Sequence, residues 1–206
     1  MAHTYGIILF DGFELLDVFG PAEAFGMVKH FDVATRLLMI THDGEPATSA
    51  QGPRVLADAS FADCPPLDLL LLPGGIGTRE GVADDAQKAF LRDRAASTGL
   101  MTTVCTGSAV FAAAGLLDGR RATSNKRSWQ WVIAQGSGVE WVPEARWVAD
   151  GKYLTSAGVS AGIDMALAAI AQLEGATTAE RIAAAMEYEW HRDPAWDPFA
   201  KLNGLV

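Results

Sequence analysis

The sequence has little of what several large classes of protein depend on. Cysteine occurs only twice among 206 residues, at Cys64 and Cys105, which is too few for a disulfide framework. The 16 basic residues are scattered and outnumbered by 25 acidic ones, and the resulting net charge of −9 disfavours nucleic acid and anionic membranes as partners. The apolar runs also stop short of the roughly 20 residues that a membrane span needs.

Metal-binding and export signals are missing as well. The four histidines are isolated in the sequence and show no spacing typical of metal ligands: His3, His30, His42 and His191. The N-terminal residues lack the basic start and long apolar core of a signal peptide. We therefore expect a cytoplasmic protein with reduced thiols, no metal and no cofactor.

The composition that remains predicts one folded domain over residues 1–206. Half of the residues are hydrophobic and one fifth are charged, without a linker-like or repetitive segment. Apolar runs alternate with segments of helical spacing, which predicts an α/β fold with a mostly parallel sheet covered on both faces. The predicted elements include strands at Tyr5–Phe10, Thr35–Thr41, Leu67–Leu72 and Leu100–Cys105, helices at about Pro21–Lys29 and Asp84–Ser97, and hairpins within 46–61 and 146–156.

The segment from Leu100 to Leu117 is central to the functional interpretation. A β-branched apolar run stops at Cys105 and turns at once into small, helix-forming residues. Such a strand–turn–helix unit exposes a side chain above the sheet edge, and the helix dipole should help a thiol there to ionise. The next N–H, that of Thr106, would serve as an oxyanion donor. The alternative is that Cys105 is a small buried apolar residue, as free cysteines commonly are.

Two further strand ends should meet this turn. Asp17 follows the first predicted strand, and Gly74 and Gly75 follow the strand Leu67–Leu72. Each has a simpler explanation, because a carboxylate stabilises a helix start and glycines serve any tight turn. Ligands of parallel sheets bind beyond the carboxyl ends of the strands, however, so the convergence predicts a site for a small-molecule substrate.

These residues resemble the ThiJ/PfpI superfamily of flavodoxin-like proteins. The resemblance covers about residues 5 to 189 and implies a three-layer αβα sandwich with a nucleophile elbow. Within the superfamily, Asp17 before Gly-Pro together with Cys105-Thr106 is most similar to the isocyanide hydratase branch. The motifs that carry the resemblance are Leu15-Leu-Asp17 with Gly20-Pro21, Ala59-Ser-Phe-Ala-Asp63, Pro73-Gly-Gly75, Val104-Cys-Thr-Gly-Ser108, Ala114-Gly-Leu-Leu-Asp-Gly-Arg120 and Gly158-Val-Ser-Ala-Gly-Ile-Asp164.

The resemblance implies a role for each matched position. Cys105 would be the nucleophile and Asp17 its carboxyl partner. The N–H groups of Gly75 and Thr106 would bind an anion, and Val159 would line the pocket, with Gly74 beside it. The activity implied is hydration of an isocyanide to an N-substituted formamide without a cofactor, and the assembly implied is a homodimer.

One position departs from the family pattern. The family commonly carries a histidine after the strand that follows the nucleophile helix, whereas this chain has Asn125, which cannot act as a general base. This substitution disfavours a Cys–His hydrolase mechanism and makes Asn125 a pocket candidate. Two alternatives stay open: another cysteine-dependent enzyme of amidase or glyoxalase type, and a non-catalytic ligand- or oxidation-sensing domain like those fused to AraC-type regulators.

The C-terminal part of the chain adds expectations about assembly. Residues 190–199 are rich in aromatics and proline and should form irregular chain on a surface or a partner. Tryptophan is also more frequent than one small core commonly requires, which predicts spare apolar surface for a dimer interface near the first helix. The six tryptophans are Trp129, Trp131, Trp141, Trp147, Trp190 and Trp196.

Overall fold

A computed structural model describes residues 3–31 and 33–206 and centres them on a seven-stranded sheet. The strand order is β10-β11-β7-β6-β1-β2-β5, and every pair is parallel except the hairpin β10–β11. The predicted mostly parallel sheet is therefore confirmed. The strands are β1 (His3–Ile8), β2 (Thr35–Thr41), β3 (Ala47–Thr48), β4 (Arg54–Val55), β5 (Ala59–Ser60), β6 (Leu69–Leu72), β7 (Leu100–Thr103), β8 (Arg121–Ala122), β9 (Glu140–Trp141), β10 (Trp147–Asp150) and β11 (Tyr153–Ser156).

Helices cover both faces of this sheet. They are α1 (Leu15–Met27), α2 (Thr78–Gly81), α3 (Asp85–Ser97), α4 (Gly107–Ala113), α5 (Trp129–Ile133), α6 (Ala161–Glu174), α7 (Ala176–Ala185) and α8 (Pro198–Leu202), with a 3₁₀ turn at Val28–Phe31. Within the described ranges, no helix is both long and apolar enough to cross a membrane.

The four leucines of β6 contribute to two hydrophobic cores, one on each face of the sheet. Leu69 and Leu71 pack with α1, α6 and α7 on one face, whereas Leu70 and Leu72 pack with α3 and α4 on the other. All four are fully buried, because successive side chains of a strand point to opposite faces. The continuous apolar run therefore belongs to the central strand of a three-layer sandwich.

The first helix differs from its prediction. Helix α1 begins at Leu15, not at Pro21, so Pro21 lies inside it and Asp17 lies in its first turn. A proline there removes one backbone hydrogen bond. The helix continues because Val18, Pro21 and Phe25 are buried, which outweighs the loss.

The C-terminal segment also differs in part. Residues 190–197 are irregular, as predicted, but the segment continues into the short helix α8, where the Asp197 side chain accepts from the Phe199 N–H at 3.0 Å. The Arg146 N–H donates to the Pro194 carbonyl at 2.8 Å, and the Asp197 N–H donates to the Glu144 carbonyl at 2.7 Å. These backbone bonds fix the segment to the protein's own surface.

The prediction of spare tryptophan surface is wrong for most of the six residues. Trp129 and Trp147 are buried, and only Trp196 exceeds half exposure, at 55%. The Trp141 and Trp190 indoles donate to the carbonyls of Gly136 and Asp164. Most of these side chains thus cover the sheet and helices of their own chain.

Candidate active site

Cys105 occupies a sharp turn between β7 and α4. Its φ of 58° is left-handed, a conformation that costs a residue with a side chain of the order of 1–3 kcal/mol. The Cys105 N–H donates to the Ala157 carbonyl at 3.1 Å, and its carbonyl accepts from the Ser124 hydroxyl at 2.7 Å. Gly74 packs so closely that a Cβ on it would lie 2.7 Å from the Cys105 Cβ. The surrounding chain therefore holds the strained turn in place.

The Cys105 sulfur lies among hydrogen-bond donors but is hidden from solvent. The residue is only 6% exposed, and burial raises the pKa of its thiol well above the usual value, with the negative charge of Asp17 adding to the rise. The Thr106 N–H, the Asn125 side chain and the Val159 N–H oppose this rise by hydrogen bonding to the sulfur.

The expectation that Cys105 ionises easily near neutral pH leaves out two effects that oppose ionisation in this structure. That argument considered only the helix dipole and nearby N–H groups. Desolvation and the Asp17 carboxylate act in the opposite direction and are larger. The thiol and the carboxyl are better described as one coupled pair than as two independent groups.

Asp17 is fully buried in the first turn of α1 and has few partners. Its Oδ2 accepts from the Gly74 N–H at 2.9 Å, whereas its Oδ1 has no well-aligned hydrogen bond within the described chain. Burial raises the Asp17 pKa to about 7, although the Gly74 N–H and weaker contacts with Cys105 and Val159 lower it. A carboxyl with this pKa can both give and take a proton near neutral pH.

Thr106 contributes to the site through its backbone and its side chain. Its N–H faces the sulfur, and its Oγ1 accepts from the Gly75 N–H at 3.1 Å and lies 3.0 Å from the Thr78 hydroxyl. The Gly75 N–H was expected to be a free anion donor. In the structure it is bonded to the Thr106 hydroxyl and reaches the site only through that group.

Asn125 stands beside the sulfur in the place where the resemblance implies histidine. Its Oδ1 accepts from the Ser128 N–H at 2.9 Å, which leaves its amino group to donate to Cys105. Gly158 approaches this amino group so closely that a side chain there would collide with it. Asn125 is thus fixed as a donor.

Val159 was expected only to line the pocket with its side chain. Its backbone is left-handed, with a φ of 49°, and its N–H points toward both Cys105 and Asp17. A β-branched residue rarely adopts this conformation, so the surrounding fold must impose it. Sequence reasoning missed this role because no glycine marks the position.

A cavity of about 350 Å³ opens beside Asn125 and Val159. Helix α8 forms its opposite wall with Phe199 and Leu202. Lys126 also lines it; this residue is buried, and its burial lowers the pKa of its amine to about 8. The space adjoins two of the groups that contact the sulfur and is wide enough for a small organic molecule.

Arg79 was missed by the sequence analysis altogether. It lies on α2, just after the glycine turn, and its guanidinium stacks on the Trp131 ring at 3.2 Å. The hydroxyl of the preceding residue, Thr78, lies 3.0 Å from the Thr106 hydroxyl, which places Arg79 near the turn that carries Cys105. As for metals, the described ranges contain no group of three or more histidine, cysteine or acidic side chains that could hold an ion.

The turn, its buried cysteine and its glycine-rich neighbour match a known family. The family model of DJ-1/PfpI matches residues 5–172. This chain belongs to the DJ-1/PfpI family. The DJ-1/PfpI assignment agrees with the resemblance seen in the sequence and with the observed sandwich.

Individual DJ-1/PfpI relatives extend this comparison. The chain is 36% identical over 189 residues to an isonitrile hydratase of Pseudomonas putida, covering 91% of this chain and 79% of the relative. It is 30% identical to the transcriptional regulator CdhR of Pseudomonas aeruginosa, covering 88% of this chain but 54% of the regulator. A ThiJ/PfpI family crystal structure from Pseudomonas syringae superimposes with a TM-score of 0.83 at 32% identity, covering 96% of this chain and 78% of that one.

Proposed function

We propose that the protein is an isocyanide (isonitrile) hydratase, which adds water to R–N≡C and gives the formamide R–NH–CHO. The observation that carries the proposal is the buried Asp17 beside Cys105, with Asn125 where a histidine base would stand. The 36% identity to an isonitrile hydratase supports the same activity.

In the first half of the reaction, the pair acts as a nucleophile and an acid. Asp17 takes the thiol proton as the Cys105 sulfur attacks the terminal carbon of the isocyanide, and a sulfur–carbon bond forms. Asp17 gives its proton to the same carbon, which yields the thioimidate R–N=CH–S–Cys105 and the Asp17 carboxylate. A pKa of about 7 allows Asp17 to hold this proton near neutral pH.

In the second half, Asp17 acts as a base. It takes a proton from a water molecule whose oxygen attacks the thioimidate carbon, and it passes this proton to the nitrogen, which gives R–NH–CH(OH)–S–Cys105. The tetrahedral species then expels the Cys105 sulfur and releases the formamide, while its hydroxyl proton passes through Asp17 back to the sulfur. The N–H groups of Thr106 and Val159 stabilise negative charge on the sulfur as it leaves.

A sensing role is the second candidate. The similarity to CdhR favours it, because this chain matches about half of that regulator. A sensor would bind or react at Cys105 without turnover. Amide or glyoxal chemistry has less support, because Asn125 offers no base to a Cys–His mechanism.

A turnover panel distinguishes these functions. Wild type and Cys105→Ala would be assayed with an aryl isocyanide, methylglyoxal and a chromogenic amide. The proposal predicts formamide production by wild type only. Turnover of methylglyoxal or the amide, with the isocyanide unchanged, would move the assignment to the other enzyme classes, and binding without turnover would favour the sensor.

We also propose a homodimer formed around α1. Leu16 and Phe19 are 41% and 43% exposed on the helix that carries Asp17. A two-fold contact between the α1 helices of two protomers would hold the helix that carries Asp17 in position. Light scattering should give twice the 21.9 kDa mass of the chain, and Phe19→Glu should shift the mass toward that of the monomer. A wild-type protein at 21.9 kDa at micromolar concentration would reject the dimer.

A further inference from the structure

Arg79 is held rigidly at the edge of the site. Its guanidinium carbon lies 3.2 Å from the Trp131 ring centroid, a close cation–π contact. The preceding residue, Thr78, places its hydroxyl 3.0 Å from the Thr106 hydroxyl. The arginine is therefore tied both to α5 and to the residue next to Cys105.

This cation has no anionic partner in the described part of the chain. No carboxylate there forms an ion pair with Arg79, and its Nη1 is buried without a hydrogen bond. The protein has 25 acidic residues against 16 basic ones, so carboxylates are plentiful elsewhere. Buried donors in folded proteins are nearly always satisfied, and an orphan of this kind calls for an explanation.

The chemistry of the group indicates what would satisfy it. A guanidinium presents a planar fork of N–H donors that matches a carboxylate, and Arg79 stays charged although burial lowers its pKa. Because the hydroxyl of Thr78, the residue before Arg79, lies 3.0 Å from the hydroxyl of Thr106, an anion bound at Arg79 would lie near the turn that carries Cys105.

We propose that Arg79, stacked on Trp131, binds a carboxylate of the substrate, so that the isocyanides hydrated by this enzyme carry a carboxylate on R. The anion site itself stands on the geometry of Arg79. The identity of the substrate class rests on the proposed isocyanide hydratase function. The two parts can be tested separately.

Alkylation of Cys105 tests the anion site without any isocyanide. Iodoacetate and iodoacetamide react with a thiolate in the same way, but only iodoacetate carries a carboxylate. The ratio of their rates at Cys105, followed by mass spectrometry, cancels changes in thiol pKa. Cys64 provides an internal reference within the same protein.

Arg79→Gln should lower the iodoacetate-to-iodoacetamide ratio at Cys105 about tenfold, as expected for loss of a charge-assisted hydrogen bond. Arg79→Lys should restore part of it. Arg36→Gln removes an exposed arginine at the start of β2, away from the site, and should leave the ratio unchanged. An unchanged ratio in Arg79→Gln would overturn the proposal.

Turnover then tests the substrate class. Arg79→Gln should lower kcat/KM for a carboxylated aryl isocyanide about tenfold and leave that for its methyl ester unchanged. Equal losses on both substrates would reject the carboxylate preference. A wild type that hydrates neither compound, but whose alkylation ratio depends on Arg79, would retain the anion site and reject the hydratase function.

Discussion

Asp17 and Asp164 are both fully buried, and each lies in the first turn of a helix. Asp164 accepts from Arg146 at 2.6 and 2.7 Å, from the Tyr188 hydroxyl at 3.1 Å and from the His191 N–H at 2.9 Å. Asp17 accepts one well-aligned hydrogen bond, from a backbone N–H. The carboxylate of Asp164 thus has a cation and several hydrogen-bond donors around it, whereas the carboxyl of Asp17 has few hydrogen-bond partners.

The difference distinguishes a carboxylate with a structural role from one that we propose to be reactive. The partners of Asp164 join the C-terminal segment to α6 and β10, so its charge is part of the scaffold. No cation in the described part of the chain compensates the Asp17 charge, and burial therefore favours its protonated form. A proton that is held loosely near neutral pH is what the proposed reaction requires.

Replacing Asp17 should have the largest effect on turnover. Asp17→Asn should keep the fold but lose about 10²–10⁴-fold in isocyanide hydration, the usual contribution of a general acid or base. Asp17→Glu should retain part of the activity, since it preserves the carboxyl. Asn125→Ala is the matched site control and should cost far less; a greater loss in that variant would overturn the assignment of roles.

Replacing Asp164 should have its largest effect on stability. Asp164→Asn breaks the two short contacts of the buried Arg146, leaves it the longer 3.9 Å contact with Asp197, and should lower the free energy of unfolding by about 3–5 kcal/mol, measured in urea. Asp150→Asn breaks the half-exposed pair with Arg120 and should cost less than about 1 kcal/mol. Equal losses in the two variants would show that the Asp164 network is not a scaffold.

A smaller effect should appear in the pH dependence of stability. The Asp17 pKa is about 7 in the folded protein, above its value in the unfolded chain, so the folded state holds the proton more tightly. The contribution of this proton to the free energy of unfolding is fully present at acid pH, and it is lost as the pH rises through about 7. The Tm of Asp17→Asn should therefore rise relative to the Tm of wild type as the pH increases from about 5 to about 8. A constant difference would contradict the raised pKa.

Local sequence signals were sufficient for much of the fold. The bounds of β2 are as predicted, and both predicted hairpins form, because strand alternation and turn residues are encoded nearby. The meeting of Asp17, Gly74 and Cys105 also followed from sequence, since parallel strands end at one edge. Their catalytic roles stay predictions.

Features that depend on distant packing could not be predicted. The positive φ of Val159 is imposed by the chain around it, and nothing in a valine favours it. The stacking of Arg79 on Trp131 joins two helices that are far apart in the sequence. The raised Cys105 pKa depends on burial, which a local helix-dipole argument does not include.

The coupling between Asp17 and Cys105 is most directly tested by titrating the Cys105 thiolate through its ultraviolet absorbance, in a Cys64→Ser background. Removing the Asp17 charge should let the thiolate form at lower pH in Asp17→Asn than in the parent. Asn125→Ala loses a donor to the sulfur and should shift the titration to higher pH. A titration that Asp17→Asn leaves unchanged, or moves to higher pH, would contradict the account of the two residues as one proton-sharing pair.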